Sequence, residues 1–325
     1  MKEIDVSVIL SAYNEEERWF REAVESIINQ SYENFLNSGF KSETFILILD
    51  NPNNTLLEGI INEYCNKDNR IVYIKNEKNL GLVKSLNKGL EYAKGKYIAR
   101  MDADDIANVD RLKKQYEFME ANKDIDLIGT SVDFIDENNC IIQKNTFVVK
   151  NSDKIKDYLK YTNVVIHPTF FFRKSILQKV NGYREILFAE DYDFICRVVA
   201  AGYKVSNLSE SLLQYRIRKN SISRDKTLAQ IYNAFYLKKL YKERLKCGKD
   251  SYSIDGLYSE DKISKKEIRN FDKSEQLKST ADNKRKNGKA LERKIIFAYS
   301  KIISKYARRN AMCTAWYKIL AKMYE

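Results

Sequence analysis

The feature that most limits what this chain can fold into is an alternation: through its first two thirds, apolar runs of strand length are separated by stretches with helical apolar spacing. That alternation describes a mostly parallel sheet covered by helices, an α/β fold. The run VSVILSAY (6 to 13) is continuous enough for a strand buried on both faces. Trp19, Ala23, Ile27 and Ile28 then follow at helical spacing, and TFILILD (44 to 50) predicts a second strand, broken by Asn51, Pro52, Asn53 and Asn54. A third strand is IVYI (71 to 74). Asn79, Leu80 and Gly81 lead into a helix from about Val83 to Ala93 that Gly95 can cap. KYIARM is the fourth strand, ending in Asp102, Ala103, Asp104 and Asp105, with the next helix starting near Asp110. LIGTSVDFID (127 to 136) brings the expected strands before residue 150 to at least five.

Further along, VVIHPTFFF (164 to 172) predicts a buried strand in which Pro168 argues for an edge or a bulge. A helix is expected from near Glu190, with Asp191 and Asp193 in its first turn, where the helix dipole favours carboxylates. Residues 226 to 247 carry an amphipathic stripe of Leu228, Ile231, Phe235 and Leu245. The polar stretch 248 to 289 is either loosely ordered or a solvated helix pair. From Leu291 to Tyr324, Ile295, Ala298, Ile302, Tyr306 and Trp316 recur at helical spacing among eight basic residues, which fits one basic amphipathic helix or a helical pair. Residues 1 to 225 therefore read as an α/β domain and 226 to 325 as a basic, mainly helical extension.

Charge sharpens that division. From Lys226 onward there are 25 Lys and Arg against 11 Asp and Glu, whereas the preceding residues carry 32 against 34. All the excess positive charge lies in the last hundred residues. The five cysteines are scattered without a CxxC pair, which fits reduced structural thiols, and a single histidine, His167, excludes multi-histidine metal sites. No apolar run reaches the roughly 18 residues of a membrane span, and the first ten residues lack a secretory pattern, so a cytoplasmic location is expected.

Catalytic acids must then come from Asp and Glu. Asp102 and Asp104 close an apolar strand, and the strand period of two would point both carboxylates to one side, at the sheet edge where ligands bind. Two close carboxylates repel. A hard divalent cation relieves that repulsion while bridging the oxygens of a diphosphate. An Asp-x-Asp pair alone also suits a helix cap.

At these residues the chain resembles the large inverting family 2 of glycosyltransferases, whose fold is called GT-A, over roughly residues 4 to 223. The resemblance rests on VSVILSAYNEE, NLGLVKSLNKGLEYAKGKYIARMDADD, HPTFFFRKSIL, GYREILFAEDYDFICRVVAAGY and YRIRKNSIS, in that order. It implies transfer of a hexose or N-acetylhexosamine from a uridine-diphosphate sugar with Mn2+ or Mg2+ as cofactor. By the same resemblance, Ala12, Tyr13 and Glu15 match a nucleotide-contacting loop, and Asp50 an aspartate that bonds a uracil-like base. Asn79 and Gly81 match the loop before a helix, and Lys84 stands where a cation could meet phosphate. Asp102, Ala103 and Asp104 match the metal and ribose motif, with Asp104 and Asp102 as metal ligands. Glu190 and Asp191 match the Glu-Asp pair that supplies the general base, here expected to be Asp191, with Glu190 as the alternative base and first-turn helix caps as the structural reading of both. His167 matches an acceptor-side position, although a lone histidine beside an apolar strand is more often a satisfied core residue.

Two departures stand out. Asp50 is followed by Asn-Pro-Asn-Asn-Thr where the family pattern is closer to Asp-Gly-Ser-x-Asp, which leaves the base preference open. Tyr215 and Arg216 match a Tyr-Arg segment, but Arg218 occupies a place where the family frequently has histidine. An arginine cannot ligate a metal, yet it can clamp a diphosphate.

Relatives of this size commonly assemble capsule, lipopolysaccharide or exopolysaccharide units, so the implied acceptor is a saccharide or a polyprenyl-diphosphate-linked one. The basic extension then has three readings: a peripheral contact with the anionic inner face of the plasma membrane, packing on the catalytic domain, or a homodimer contact. Nucleic acid is disfavoured because no recognised module for it is present. The alternatives to a transferase of sugars are a nucleotidyltransferase of related fold, which would prefer a Gly-rich loop after the first strand, and a non-catalytic basic scaffold.

Overall fold

The computed structural model describes residues 4–31, 42–218, 227–286 and 290–324. Two compact units emerge. One comprises the described parts of Met1–Lys156, Asn163–Glu185 and Glu190–Ser221, the other those of Asp157–Thr162, Ile186–Ala189 and Ile222–Glu325. The expected division between residues 225 and 226 lies outside the described residues.

The first unit opens with repeating strand and helix: β1 (Val6–Ala12), α1 (Glu17–Ile28), β2 (Glu43–Leu49), α2 (Thr55–Lys67), β3 (Ile71–Lys75), α3 (Leu82–Tyr92) and β4 (Tyr97–Asp102). After it come β5 (Ile106–Ala107), α4 (Arg111–Ala121), β6 (Leu127–Ile135), β7 (Ile141–Gln143), α5 (Ser152–Tyr158), β8 (Phe171–Arg173), α6 (Leu177–Val180), α7 (Glu190–Ala200) and β9 (Val205–Arg216). The sheet order is β3-β2-β1-β4-β8-β6-β9-β5, with β7 on β6. β1 to β4 pair in parallel, as do β6 and β9, while β8 runs against both β4 and β6. The sheet is thus mixed and mostly parallel, as the alternation of runs predicts. Val6, Val8 and Leu10 of β1 pack with Phe20, Ala23, Val24 and Ile27 of α1 in one core. This explains why the apolar spacing of that helix was legible.

Three local expectations are corrected. Pro168 lies in a short 3-10 turn, His167–Thr169, before β8, and β8 is an interior strand between β4 and β6. The missing N–H of proline falls ahead of the ladder, so neither an edge nor a bulge is needed. Gly95 does not cap α3, whose C-cap is Ala93. A Cβ at residue 95 would sit 2.5 Å from the Ser7 backbone nitrogen, so glycine is required there for close approach. Asp104 does not share the strand period with Asp102: β4 ends at Asp102, and residues 103 and 104 form a turn.

In the second unit are α8 (Thr227–Cys247), α9 (Lys265–Lys286), α10 (Ala290–Ile303) and α11 (Lys305–Tyr324). Ile231, Ile263, Phe271, Tyr306 and Ala307 form its small core. Much of the polar stretch is therefore helical, and its helix pairs with α10, the Ser274 hydroxyl donating to the Ser300 carbonyl at 2.7 Å. Trp316 stacks on Tyr161 with ring centroids 5.7 Å apart. No helix among the described residues is long and apolar enough to cross a membrane.

Candidate functional site

Register places the carboxyl ends of three strands at one sheet edge, since Ala12 pairs with Leu49 and Ser11 with Asp102. β1 has β2 on one side and β4 on the other, so the chain reverses its direction of winding at β1, where open α/β sheets form a crevice.

One wall of that edge is a hydrogen-bonded loop cluster. The Asp50 amide donates to the Ala12 carbonyl at 2.8 Å. Asp50 Oδ1 accepts from the Leu80 amide and the Asn76 side chain, both at 2.8 Å, and Oδ2 accepts from the Gly81 amide at 2.9 Å. Asn79 Oδ1 also accepts from Gly81 at 2.9 Å, and Gly81 has φ of 81°, a left-handed conformation that glycine adopts without strain. Ala12, Asp50, Asn79 and Gly81 are thus brought together. The unusual Asn-Pro-Asn-Asn segment has a local role: the Asn51 amide donates to Asn14 Oδ1 at 2.6 Å, and Asn54 Oδ1 caps α2 by accepting from Leu57 at 3.0 Å. Tyr13 projects its ring into solvent while its amide donates to Glu15 Oε2 at 2.7 Å.

Next to it lies an acidic turn. Asp104 Oδ2 accepts from Arg218 Nε at 2.8 Å, and Arg218 lies over the Trp19 ring, 6.0 Å from its centroid. Burial, and then the charge of Asp102, pushes the Asp104 carboxyl up to about 6. Burial likewise raises Glu15, which feels both Asp104 and Arg218. Arg216 fixes the turn from below: its amide donates to Asp105 Oδ1 at 2.9 Å, its Nε to the Asp104 carbonyl at 2.7 Å and its Nη2 to Glu22 Oε2 at 2.9 Å.

The third component is the first turn of α7. Burial, followed by the neighbouring charge of Asp191, pushes Glu190 up to about 7. Asp191 is also raised by burial, and its Oδ2 accepts from the Asn163 side chain at 2.8 Å. Asp193 is engaged elsewhere, by Arg197 Nε at 2.6 Å. That pairing distinguishes Asp193, which braces the helix, from Glu190 and Asp191.

Arg100 joins the acidic turn to α7. It is buried in β4, ion-pairs with Asp102, and its charge acts on Glu190 and Asp191 as well. Its Nε and Nη1 have no hydrogen-bond partner. The same charge, after burial, depresses His167, whose Nε2 lies 3.0 Å from the Tyr183 hydroxyl. His167 is thereby held neutral within an aromatic cluster that includes Phe170. Lys84 sits apart, more than half exposed and 3.4 Å from Glu185.

Arg100, Asn163 and Tyr183 were missed by the sequence reading. Arg100 carried a signal: an arginine inside an apolar strand, two residues before Asp102, shares a face with it. Asn163 carried none.

Among the described residues no group of three His, Cys, Asp or Glu could hold a metal ion on its own. The candidate donors are two carboxylates, Asp102, which is ion-paired with Arg100, and Asp104, which shares one oxygen with Arg218. Oxygen donors of that number suit Mg2+ or Mn2+ completed by phosphate oxygens and water, and do not suit a protein-only cage.

Glu190 gives a test of this electrostatics. Its folded carboxyl titrates at about 7 against 4.5 for the ordinary group. Its contribution to stability is therefore full below about pH 4.5, and is lost as pH rises through about 7. Glu190→Gln should leave the stability at pH 4 nearly unchanged and raise it at pH 8 by on the order of 3 kcal/mol. Chemical unfolding at the two pH values checks this, and equal shifts at both would contradict it.

Comparison with known proteins agrees with the architecture. Residues 7–180 match the family model described as Glycosyl transferase family 2. The chain is 42% identical over 241 residues to an uncharacterized glycosyltransferase of Methanocaldococcus jannaschii, covering 74% of this chain and 80% of that one. It is 29% identical over 244 residues to the O-antigen biosynthesis glycosyltransferase WbnJ of Escherichia coli, covering 74% of this chain and 91% of the relative. Among solved structures, residues 1–349 of S. aureus TarS in complex with UDP-GlcNAc superpose with a TM-score of 0.60 at 19% identity, covering 77% of this chain and 68% of that one. In a second structure of the same TarS fragment the match spans 65% of the solved chain. At that identity the likeness establishes the GT-A type of fold, and the family match with the archaeal relative establishes the rest: the chain belongs to glycosyl transferase family 2.

Proposed function

We propose that the chain moves a hexose or N-acetylhexosamine from a uridine-diphosphate sugar, with inversion, onto a saccharide or polyprenyl-diphosphate-linked acceptor in bacterial surface-polysaccharide assembly. The observation that carries this reading is one buried guanidinium, Arg100, which ion-pairs with Asp102 and whose charge reaches Glu190 and Asp191, while the charge of Asp102 in turn raises Asp104. Support for the donor comes from the likeness to TarS, solved in complex with UDP-GlcNAc, and for the pathway from the O-antigen enzyme.

In this reading Asp50 and the 76–81 loop face the base, and the exposed Tyr13 ring stacks on it. Asp102 and Asp104 would hold the divalent cation, which when bound neutralises charge on the leaving diphosphate. Arg218, braced between Asp104 and Trp19, offers its remaining N–H groups to the phosphates. Asp191 keeps one oxygen on Asn163 and takes the acceptor hydroxyl's proton with the other. That hydroxyl oxygen then attacks the anomeric carbon from the face opposite the diphosphate, which inverts the centre. Glu190, raised to about 7, shares its proton near neutrality, which leaves the base role to Asp191.

A panel of uridine-diphosphate sugars assayed for UDP release with Mn2+ or Mg2+ tests the proposal. One donor class should give cation-dependent release, and Asp104→Ala should lower it by about 100-fold or more. Full turnover by a folded Asp104→Ala protein would contradict it.

A further inference from the structure

α10 exposes more apolar surface than a helix that merely covers a core. Leu291, Ile295, Tyr299 and Ile302 are half or more exposed. At about 100° per residue they fall within about 80° of arc on one side of the helix. The buried side lies opposite: Ser300 is fully covered and its carbonyl accepts from Ser274 of α9. The side toward α9 carries Ser300 with the half-buried Ile296, Phe297 and Ile303, so the exposed stripe is a second apolar face that packing within the unit leaves open. In α11, Met312, Trp316 and Ile319 form a second exposed apolar line at helical spacing.

Basic residues border these lines. Lys294, Lys305, Arg308 and Arg309 are exposed, and Lys301 is half-buried. Between residues 290 and 324 the only acid is Glu292. A second copy of the chain laid on this face would bring like charges together. Nucleic acid would match the charge, but Leu291, Ile295 and Ile302, three of the four residues of the α10 stripe, offer bases no stacking platform. A surface with apolar depth beneath an anionic layer satisfies both features at once.

We infer that the exposed stripe of α10, with the basic residues of α10 and the first turns of α11, docks on an anionic phospholipid surface. This extends the proposed lipid-linked acceptor, because docking would hold the chain where such an acceptor resides. Each basic side chain adds electrostatic attraction that salt screens, and the aliphatic stripe adds a contribution that salt does not.

Flotation of the full chain with vesicles of zwitterionic phospholipid, with and without anionic phospholipid, tests the inference. Binding is expected only to the anionic vesicles, and to weaken with salt. Ile295→Gln with Ile302→Gln should lower partitioning at least about tenfold, and Lys294→Gln with Arg308→Gln about fivefold per charge. Thermal melts of both double variants should match wild type, since these side chains are exposed. The readout does not depend on sugar transfer, so failure of vesicle binding and failure of the proposed activity are distinguishable. No binding to anionic vesicles, or binding indifferent to both double variants, would overturn the inference. So would a chain dimer, or a bound oligonucleotide, that is lost with Ile295→Gln and Ile302→Gln.

Discussion

Asp191→Asn lowers the turnover of sugar transfer by about 10² to 10⁴ while UDP binds as it does to wild type. The substitution keeps the shape of the side chain, and Asn163 retains an oxygen to donate to, as it does at 2.8 Å in the parent. What is lost is the capacity to accept a proton from the attacking hydroxyl. It also relieves the repulsion that raises Glu190, so the site is not weakened as a fold. Single-turnover rates at saturating donor, together with UDP titration, separate the two effects. A turnover within twofold of wild type, in a protein that still binds UDP, would remove Asp191 from the base role.

Arg100→Leu destabilises the chain by about 3 to 5 kcal/mol at pH 8, with a smaller loss at pH 5. Arg100 is the buried positive charge beside Asp102, and its field also lowers the cost of ionising Glu190 and Asp191. Without it these acids are left uncompensated in a poorly solvated place. At pH 5 more of them can take up protons, because Asp104 and Glu190 are already raised to about 6 and about 7. Chemical unfolding at the two pH values measures the difference. A loss below about 1 kcal/mol at pH 8 would mean that the cluster is not held by this guanidinium.

Much of the fold was legible because its strands are buried on both faces. β1, β2 and β4 read as continuous apolar runs, and α1 and α3 as apolar stripes, since each satisfies one local rule. The errors arose where tertiary context decides. Pro168 resembled a strand breaker, but a short turn places it ahead of β8. Asp104 resembled a strand residue, but β4 stops two residues earlier and a turn carries the side chain to Arg218. In the site, the acids at 102, 104, 190 and 191 were visible as motifs. Their link through Arg100 was not, because β4 and α7 are distant in sequence and only the fold sets the guanidinium between them. Asn163 is invisible for the same reason.

The most direct test of a nucleotide-sugar site at the carboxyl ends of β1, β2 and β4 is calorimetric titration of UDP into the full chain and into Asp104→Asn, with and without Mn2+. The account predicts binding that requires the cation and weakens by about 100-fold in the variant. Binding of equal strength in all four titrations would contradict it.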